Sequence, residues 1–284
     1  MSDTILQDFC PVLKMDTGET TPPCSFEDYV ALCSLHRESD GAMVASIGQF
    51  SLASHADDPD LVLQHDGSYP KVAAGQPEVL PSVPVYGRVG TFVEAGSHKY
   101  ALAYVFLWPY QEASTSGTDL SHSCSLKHVR VVVDRGTRKI ERVFFPGTGL
   151  DGSGGWMQAS ALKFEDRARR RALVFVARGT HSLYPLPGFA WRVRGTISDT
   201  MDGEGQVWSH ALVQALPGDV MAFTGRLAPA VASLREQPFV QVTVEPDLPG
   251  ATQAMLTRII PLRTGGAQHT SHSVGRSGHI IAKA

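Results

Sequence analysis

The chain has 284 residues, 43% of them hydrophobic, which is enough for a substantial core in one large all-β domain or two smaller ones. A formal net charge of −3 gives no electrostatic footprint for nucleic acid. Residues 1–20 lack a continuous apolar segment of secretory type, and no apolar run is long enough to span a bilayer.

Cys10, Cys24, Cys33 and Cys124 lack the paired spacing of a zinc site, and four cysteines in so long a chain are not a disulfide framework. The sequence contains no asparagine, so it offers no N-glycosylation acceptor, and its final Ala-Lys-Ala is not a peroxisomal address. These features lead to the expectation of a soluble cytoplasmic protein.

In chain order, Pro11-Val-Leu-Lys-Met-Asp16 is a short extended entry that ends at Gly18 and Pro22-Pro23. Ser25-Phe-Glu-Asp28 has the form of a capping box, which predicts a short helix from Phe26 to about His36. Residues 55–84 are acidic, aperiodic and rich in Gly and Pro, and read as a long surface loop. Val83 to Val93 and Tyr100 to Trp108 form a hairpin pair across Glu94-Ala-Gly-Ser97, and Thr115-Ser-Gly-Thr118 is loop. His128 to Val133 and Lys139 to Phe145 are β-branched runs joined by Asp134-Arg-Gly-Thr137, the clearest hairpin in the chain.

Both faces of Leu173-Val-Phe-Val-Ala177 are apolar, as in a strand buried on both sides. Phe189, Trp191 and Val193 alternate with Arg192 and Arg194, which predicts a strand with one wet face. Further strands fit Val220 to Gly225, Phe239 to Val244 and Met255 to Leu262, and a Gly/Ser/His-rich tail fills residues 264–284. The fold expected is all-β, a single-domain β-sandwich over residues 1–263 with long loops and one short N-terminal helix.

Several apparent motifs lack the context their chemistry needs. Gly147-Thr-Gly-Leu-Asp-Gly152 has dinucleotide-loop spacing, but Ser153-Gly-Gly-Trp156 cannot open the helix that would hold a pyrophosphate. Asp199, Asp202 and Glu204 lack the spacing of a calcium loop and read as a solvated turn. Arg167, Arg169, Arg170 and Arg171 follow Glu165 and Asp166, as in a charged hairpin tip. No Gly-x-Ser-x-Gly elbow points to a serine hydrolase.

Three segments resemble the vacuolar protein sorting-associated protein sixty-two family, known mainly as uncharacterised proteins of fungi and plants. They are Pro11-x-Leu13-x-x-Asp16-x-x-Glu19 followed by Pro23, His122-x-Cys-Ser-Leu-Lys-His-Val, and Leu173-Val-Phe-Val-Ala-Arg-Gly-Thr-His-Ser-Leu-Tyr184. The third is similar to the family's Val-Tyr-Val-Ala-x-Gly-Ser-His-Ala-x-Tyr and is the most specific of the three. The resemblance covers roughly residues 10–210 and implies a β-sandwich distantly similar to the necrosis-inducing proteins.

The departures from the family pattern carry chemical content. Where the family has Gly, Asp and Glu after its histidine, this chain has Cys124, Ser125 and Lys127. Positions 125 and 127 share a strand face, so a hydroxyl and an ammonium stand where two carboxylates would project together. A divalent cation inherited from that pattern is therefore expected to be absent, and Lys127 becomes a hydrogen-bond donor or a low-pKa amine.

The candidate catalytic groups are Lys127 and His181, with Tyr104, Trp108, His122, Ser125, Ser182 and Tyr184 as substrate-binding candidates. Each also has a plain structural reading. Lys127 reads equally as an exposed strand charge, His181 as a turn residue, His122 as a loop residue, and the Tyr104, Phe106, Trp108 stripe as core.

Three classes of function stay open. The first is an enzyme needing neither cofactor nor metal that acts on an apolar small molecule by polarising a carbonyl. An intramolecular cyclase of Diels–Alder type in fungal natural-product biosynthesis fits it, because positioning and charge stabilisation supply most of the acceleration such a reaction needs. The second is a non-catalytic binding or trafficking module. The third, disfavoured by the missing carboxylates, is a metal-dependent hydrolase.

Overall fold

Strands supply most of the regular structure among the described residues, and the helices among them are short, with a side-chain cap shown only for Phe26–Ala31. The structure is a computed structural model that describes residues 2–67, 69, 71, 83–112, 114–115, 118–119, 121–146, 155–192, 197–208 and 212–229. The first half runs α1 (Ser2–Phe9), β1 (Val12–Lys14), α2 (Phe26–Ala31), β2 (Cys33–Arg37), β3 (Met43–Ala45), β4 (Leu61–His65), β5 (Val85–Glu94), β6 (Ser97–Gln111), β7 (Ser114–Thr115) and β8 (Thr118–Asp119). It continues with β9 (His122–Asp134), β10 (Lys139–Phe145), β11 (Gly155–Gln158), β12 (Leu173–Val176), β13 (Leu183–Tyr184), β14 (Gly188–Arg192), β15 (Ile197–Met201), β16 (Val207–Trp208), β17 (Val213–Gln214) and α3 (Gly218–Ala222).

The protein is all-β, as expected, but with three short α-helices rather than one among the described residues. A central six-stranded sheet, ordered β11-β10-β9-β6-β5-β17, is covered on both faces. One face, through Tyr104, Phe106, Trp108, Val129 and Val131, packs on Leu13, Val174, Val176 and Trp208 of the four-stranded sheet β13-β12-β1-β16. The other face, through Tyr86, Val105, Leu107 and Leu126, packs on Phe26, Tyr29, Leu35, Leu63 and Phe223, around the sheet β3-β2-β4. The β12 strand is buried on both sides as its apolar run predicts, with Val174 and Val176 facing the central sheet and Phe175 packing with Tyr184 and Met201.

The hairpins β5–β6 and β9–β10 form where the sequence places them. Ser25 caps α2: its Oγ accepts from the Asp28 amide at 2.9 Å and donates to Asp28 Oδ2 at 2.8 Å. The helix ends at Ala31 instead of about His36, because Cys33 and Leu35 alternate into the core and pair with β4 at His65 and Leu63.

Residues 55–84 are not loop throughout. The run Leu61-Val-Leu63 is buried and forms β4. The strand expected from Val220 to Gly225 is instead α3, which opens after Pro217, with Asp219 in its first turn. Pro217 lacks an N–H that a first helical turn would leave unpaired anyway. Phe189, expected on a covered face, is 54% exposed on the ribbon that β14 forms with β15. The strands expected at 239–244 and 255–262 and the tail at 264–284 lie outside the described residues, as does the 147–152 glycine loop.

All four cysteines are free thiols. None of the helices among the described residues is long and apolar enough to cross a membrane.

Candidate functional site

The register Trp108↔Ser125 and Phe106↔Lys127 sets these four side chains on one face of the central sheet, the face turned to the four-stranded sheet. The ladder bends beside them. Pro109 has no amide to donate, and Cys124, opposite it in the register, adopts φ +59°. Past the bend the Gln111 side chain reaches back, so that its Oε1 accepts from Lys127 Nζ at 2.9 Å and from Ser125 Oγ at 3.1 Å.

The turn between β12 and β13 supplies the opposite wall. His181 N donates to Ala177 O and Ala177 N to Ser182 O, both at 2.9 Å, with Gly179 at φ +70° and His181 at φ +55°. Asp199 fastens this turn by accepting from Thr180 Oγ1 at 2.7 Å and from the Tyr184 hydroxyl at 2.6 Å. The His181 imidazole lies flat on the Trp108 indole, with ring centroids 4.8 Å apart and an interplanar angle of 4°. His181 Nδ1 and Trp108 Nε1 are both buried without a hydrogen-bond partner among the described residues.

Behind His181 stands Glu19, whose Oε1 is 3.3 Å from His181 Nε2, an ion-pair distance with poor hydrogen-bond alignment. Glu19 also accepts from the Gly179 amide at 2.8 Å and the Thr21 amide at 2.8 Å. Burial pushes the Glu19 carboxyl up, but His181 and these amides outweigh it and hold the group below the ordinary carboxylate range. Burial lowers the His181 pKa, and Glu19 offsets this only in part. His122 is also lowered, first by burial, with repulsion from Lys127 and His181 adding to the effect.

The structure therefore brings together Lys127, Ser125, His122, Trp108 and His181, while Ser182 follows His181 in the turn, where its amide donates to Thr180 Oγ1 and its carbonyl accepts from Ala177 N. It does not build the expected wall of Tyr104, Trp108 and Tyr184. Tyr104 is fully buried, with its hydroxyl donating to Leu6 O at 2.9 Å. Tyr184 sits in a separate cluster with Phe175 and Met201. The aromatic stripe on β6 is thus core: a neighbouring sheet covers it.

Sequence reasoning did not single out Glu19 and Gln111 as site residues. Glu19 lies within the family-like Asp16-x-x-Glu19 segment, but its contact with Gly179 spans 160 positions. Strand register gives no signal for Gln111, which pairs with His122 while Phe106 stands opposite Lys127.

Among the described residues no three His, Cys, Asp or Glu side chains form a group able to hold a metal ion. The Lys127 ammonium, whose charge already acts on His122 and His181, repels a cation at this place. Exhaustive chelation is expected to leave stability and activity unchanged. Stoichiometric bound metal in elemental analysis, or activity restored only by added cation, would contradict that expectation.

The same histidines make the fold sensitive to acid. His122, His128 and His181 all bind protons more weakly folded than the ordinary value of 6.5, with burial the largest cause for each. Below about pH 6.5 the unfolded chain takes up more protons than the folded one, so their contribution is fully present above that pH and is lost as pH falls. Glu19 acts with the same sign at lower pH. While pH lies between the folded and unfolded pKa values, each such histidine is expected to remove about 1.4 kcal/mol per pH unit. Urea unfolding at pH 7.5 and 5.5 measures this, and equal stability at the two would refute it.

No family profile matches the chain, and no curated protein matches it. Several solved structures are similar to it. One is the crystal structure of Necrosis and Ethylene inducing Protein 2 from the causal agent of cocoa's Witches Broom disease, at 13% identity and TM-score 0.37, covering 78% of this chain and 79% of that one. Another is NLPPya in complex with mannosamine, also at 13% identity and TM-score 0.37, covering 90% of this chain and 89% of that one. A third, described as a toxin fold for microbial attack and plant defense, has the same identity, TM-score and coverage as the second. At these values the likeness assigns neither family nor activity.

Proposed function

We propose that this chain is a cofactor-independent enzyme that binds an apolar small molecule and promotes its intramolecular cyclisation, of Diels–Alder type, in fungal natural-product biosynthesis in the cytoplasm. The observation that carries the reading is Lys127, a half-buried ammonium held by Gln111 and near enough to His122 and His181 for its charge to lower the pKa of both. An oxygen of the substrate's carbonyl or carboxylate accepts a hydrogen bond from Lys127 Nζ, which withdraws electron density from the conjugated system and favours ring closure. Such a ring closure rearranges bonds within one molecule and needs neither oxidant nor leaving group. His181, sealed under Trp108, is assigned a positioning role together with Glu19. The resemblance of Leu173–Tyr184 to the vacuolar protein sorting-associated protein sixty-two family remains part of this proposal.

A second reading, a non-catalytic binding module, is favoured by the complete burial of His181 and Trp108, which leaves fewer groups able to act on a ligand. One experiment separates the two. Purified protein is added to an extract of cells lacking its gene, and small molecules are followed by chromatography and mass spectrometry. The enzyme reading expects one apolar compound to be consumed and an isomer of equal mass to appear. A compound retained by the protein but unchanged would establish the binding module.

A further inference from the structure

The β3-β2-β4 sheet ends differently at its two edges. Beyond β4 the chain adds a further rung, with Leu63 N donating to Arg226 O at 2.9 Å and Arg226 N to Leu61 O at 2.7 Å. β3 pairs with β2 on one side and with no strand on the other among the described residues. An open edge offers backbone N–H and C=O groups to solvent, and folded proteins ordinarily guard it with a charged side chain or a proline. From Ala42 to Gln49 this chain has neither.

The unguarded edge is also apolar. Met43 is 63% exposed, Val44 40% and Ile47 44%. These are three of the seven large hydrophobic side chains exposed among the described residues, so exposure is concentrated here rather than scattered. Ala45 and Phe50 pack on the core around Phe26, Tyr29 and Leu35, which holds the edge in place before any partner arrives.

Charge at the start of β3 is of one sign. Asp60 accepts from the Ser39 amide at 3.0 Å and from its hydroxyl at 2.6 Å, which draws Asp57 to Asp60 against the turn between β2 and β3. Glu38, Asp40, Asp57, Asp58 and Asp60 thus gather beside Arg37 and Arg226. Arg37 pairs with Asp40 and Asp60, and Arg226 with Glu38. Asp57 and Asp58 are exposed and make no ion pair among the described residues.

We propose that the β3 edge binds an extended, basic segment of another protein by strand addition, antiparallel to β3. Backbone groups of the segment pair with the open edge while its apolar side chains cover Met43, Val44 and Ile47. Antiparallel pairing sets the C-terminal end of the segment beside Met43, so Lys or Arg residues there meet Asp57 and Asp58. A second copy of this chain pairing through its own β3 would bring no cation to these carboxylates, because residues 42–49 contain none. The edge lies across the central sheet from Lys127 and does not rest on the enzymatic reading.

The full chain is titrated at low ionic strength into two fluorescein-labelled peptides, Thr-Val-Thr-Val-Thr-Lys-Lys-amide and its counterpart ending in Glu-Glu-amide, and binding is read by fluorescence anisotropy. The Lys-Lys peptide is expected to bind saturably with a Kd on the order of 100 μM or tighter, and the Glu-Glu peptide about tenfold or more weaker. Val44→Lys places a guard on an exposed position, so it is expected to weaken the Lys-Lys peptide about tenfold while Tm stays near that of the parent protein. Asp57→Lys combined with Asp58→Lys is expected to reverse the preference and favour the Glu-Glu peptide, a result that a general loss of structure would not give. Leu212→Lys, at an exposed position on another sheet, should bind as the parent does. The proposal is overturned if the Lys-Lys peptide does not bind, if the two peptides bind equally, or if Val44→Lys binds as the parent does. It is also overturned if the chain alone sediments as a dimer that Val44→Lys dissociates, since a second copy would then occupy the edge.

Discussion

Lys127→Ala is expected to lower formation of the isomeric product on the order of 100-fold, the effect of losing one donor worth about 3 kcal/mol to developing negative charge. The loss should fall on kcat more than on KM, because the bond to the substrate oxygen strengthens as charge develops. The fold should survive, since Lys127 is half-buried and is not part of the apolar core of its sheet. Lys127→Arg should recover only part of the rate, because a planar guanidinium cannot hold its charge where a tetrahedral ammonium sits against Gln111. A folded Lys127→Ala protein that forms product at the parent rate would remove Lys127 from the mechanism.

The largest stability effect is expected at Gly179. Its φ of +70° is a conformation that L side chains rarely adopt, and an added Cβ would stand 2.4 Å from the Glu112 carbonyl oxygen. The Gly179 carbonyl accepts from Glu112 N at 2.9 Å and its amide donates to Glu19 at 2.8 Å, so the backbone cannot retreat without breaking one of these bonds. Gly179→Ala is expected to cost about 3 kcal/mol or more, summing backbone strain with a lost buried hydrogen bond. Gly96 is the control: its φ is +77° with nothing within 4 Å of an added Cβ, so Gly96→Ala should cost only the strain, about 1 kcal/mol. Urea unfolding of both variants measures the difference. Equal losses would mean that the Glu112 contact constrains nothing.

The central hairpins were legible because long alternating runs meet turn residues, as at Asp134-Arg-Gly-Thr137, and because β12 is apolar on both faces. Shorter elements were hidden by their neighbours. Leu61-Val-Leu63 lies in an acidic, Gly- and Pro-rich stretch, and β2 follows α2 so closely that helix and strand read as one segment. On β9, period-two alternation sufficed to put Ser125 and Lys127 on one face. The Glu19–His181 contact was not legible, since no local pattern announces a partner brought in by a turn so distant in sequence. Tyr104 and Trp108 show a different difficulty: an aromatic stripe has the same spacing whether a ligand or another sheet covers it.

The parallel pairing of β1 with β12, Val12 against Leu173, also bears on how the protein is made. β5, β6, β9 and β10 pair with near neighbours and can associate as soon as they leave the ribosome. The sheet that covers Tyr104, Phe106 and Trp108 must wait until residue 176 has been translated, because β1 has no parallel partner before then. At about 5–20 residues per second, the apolar face completed at β9 stays open for seconds. The nascent chain therefore carries its greatest need for chaperone protection in the interval between β9 and β12.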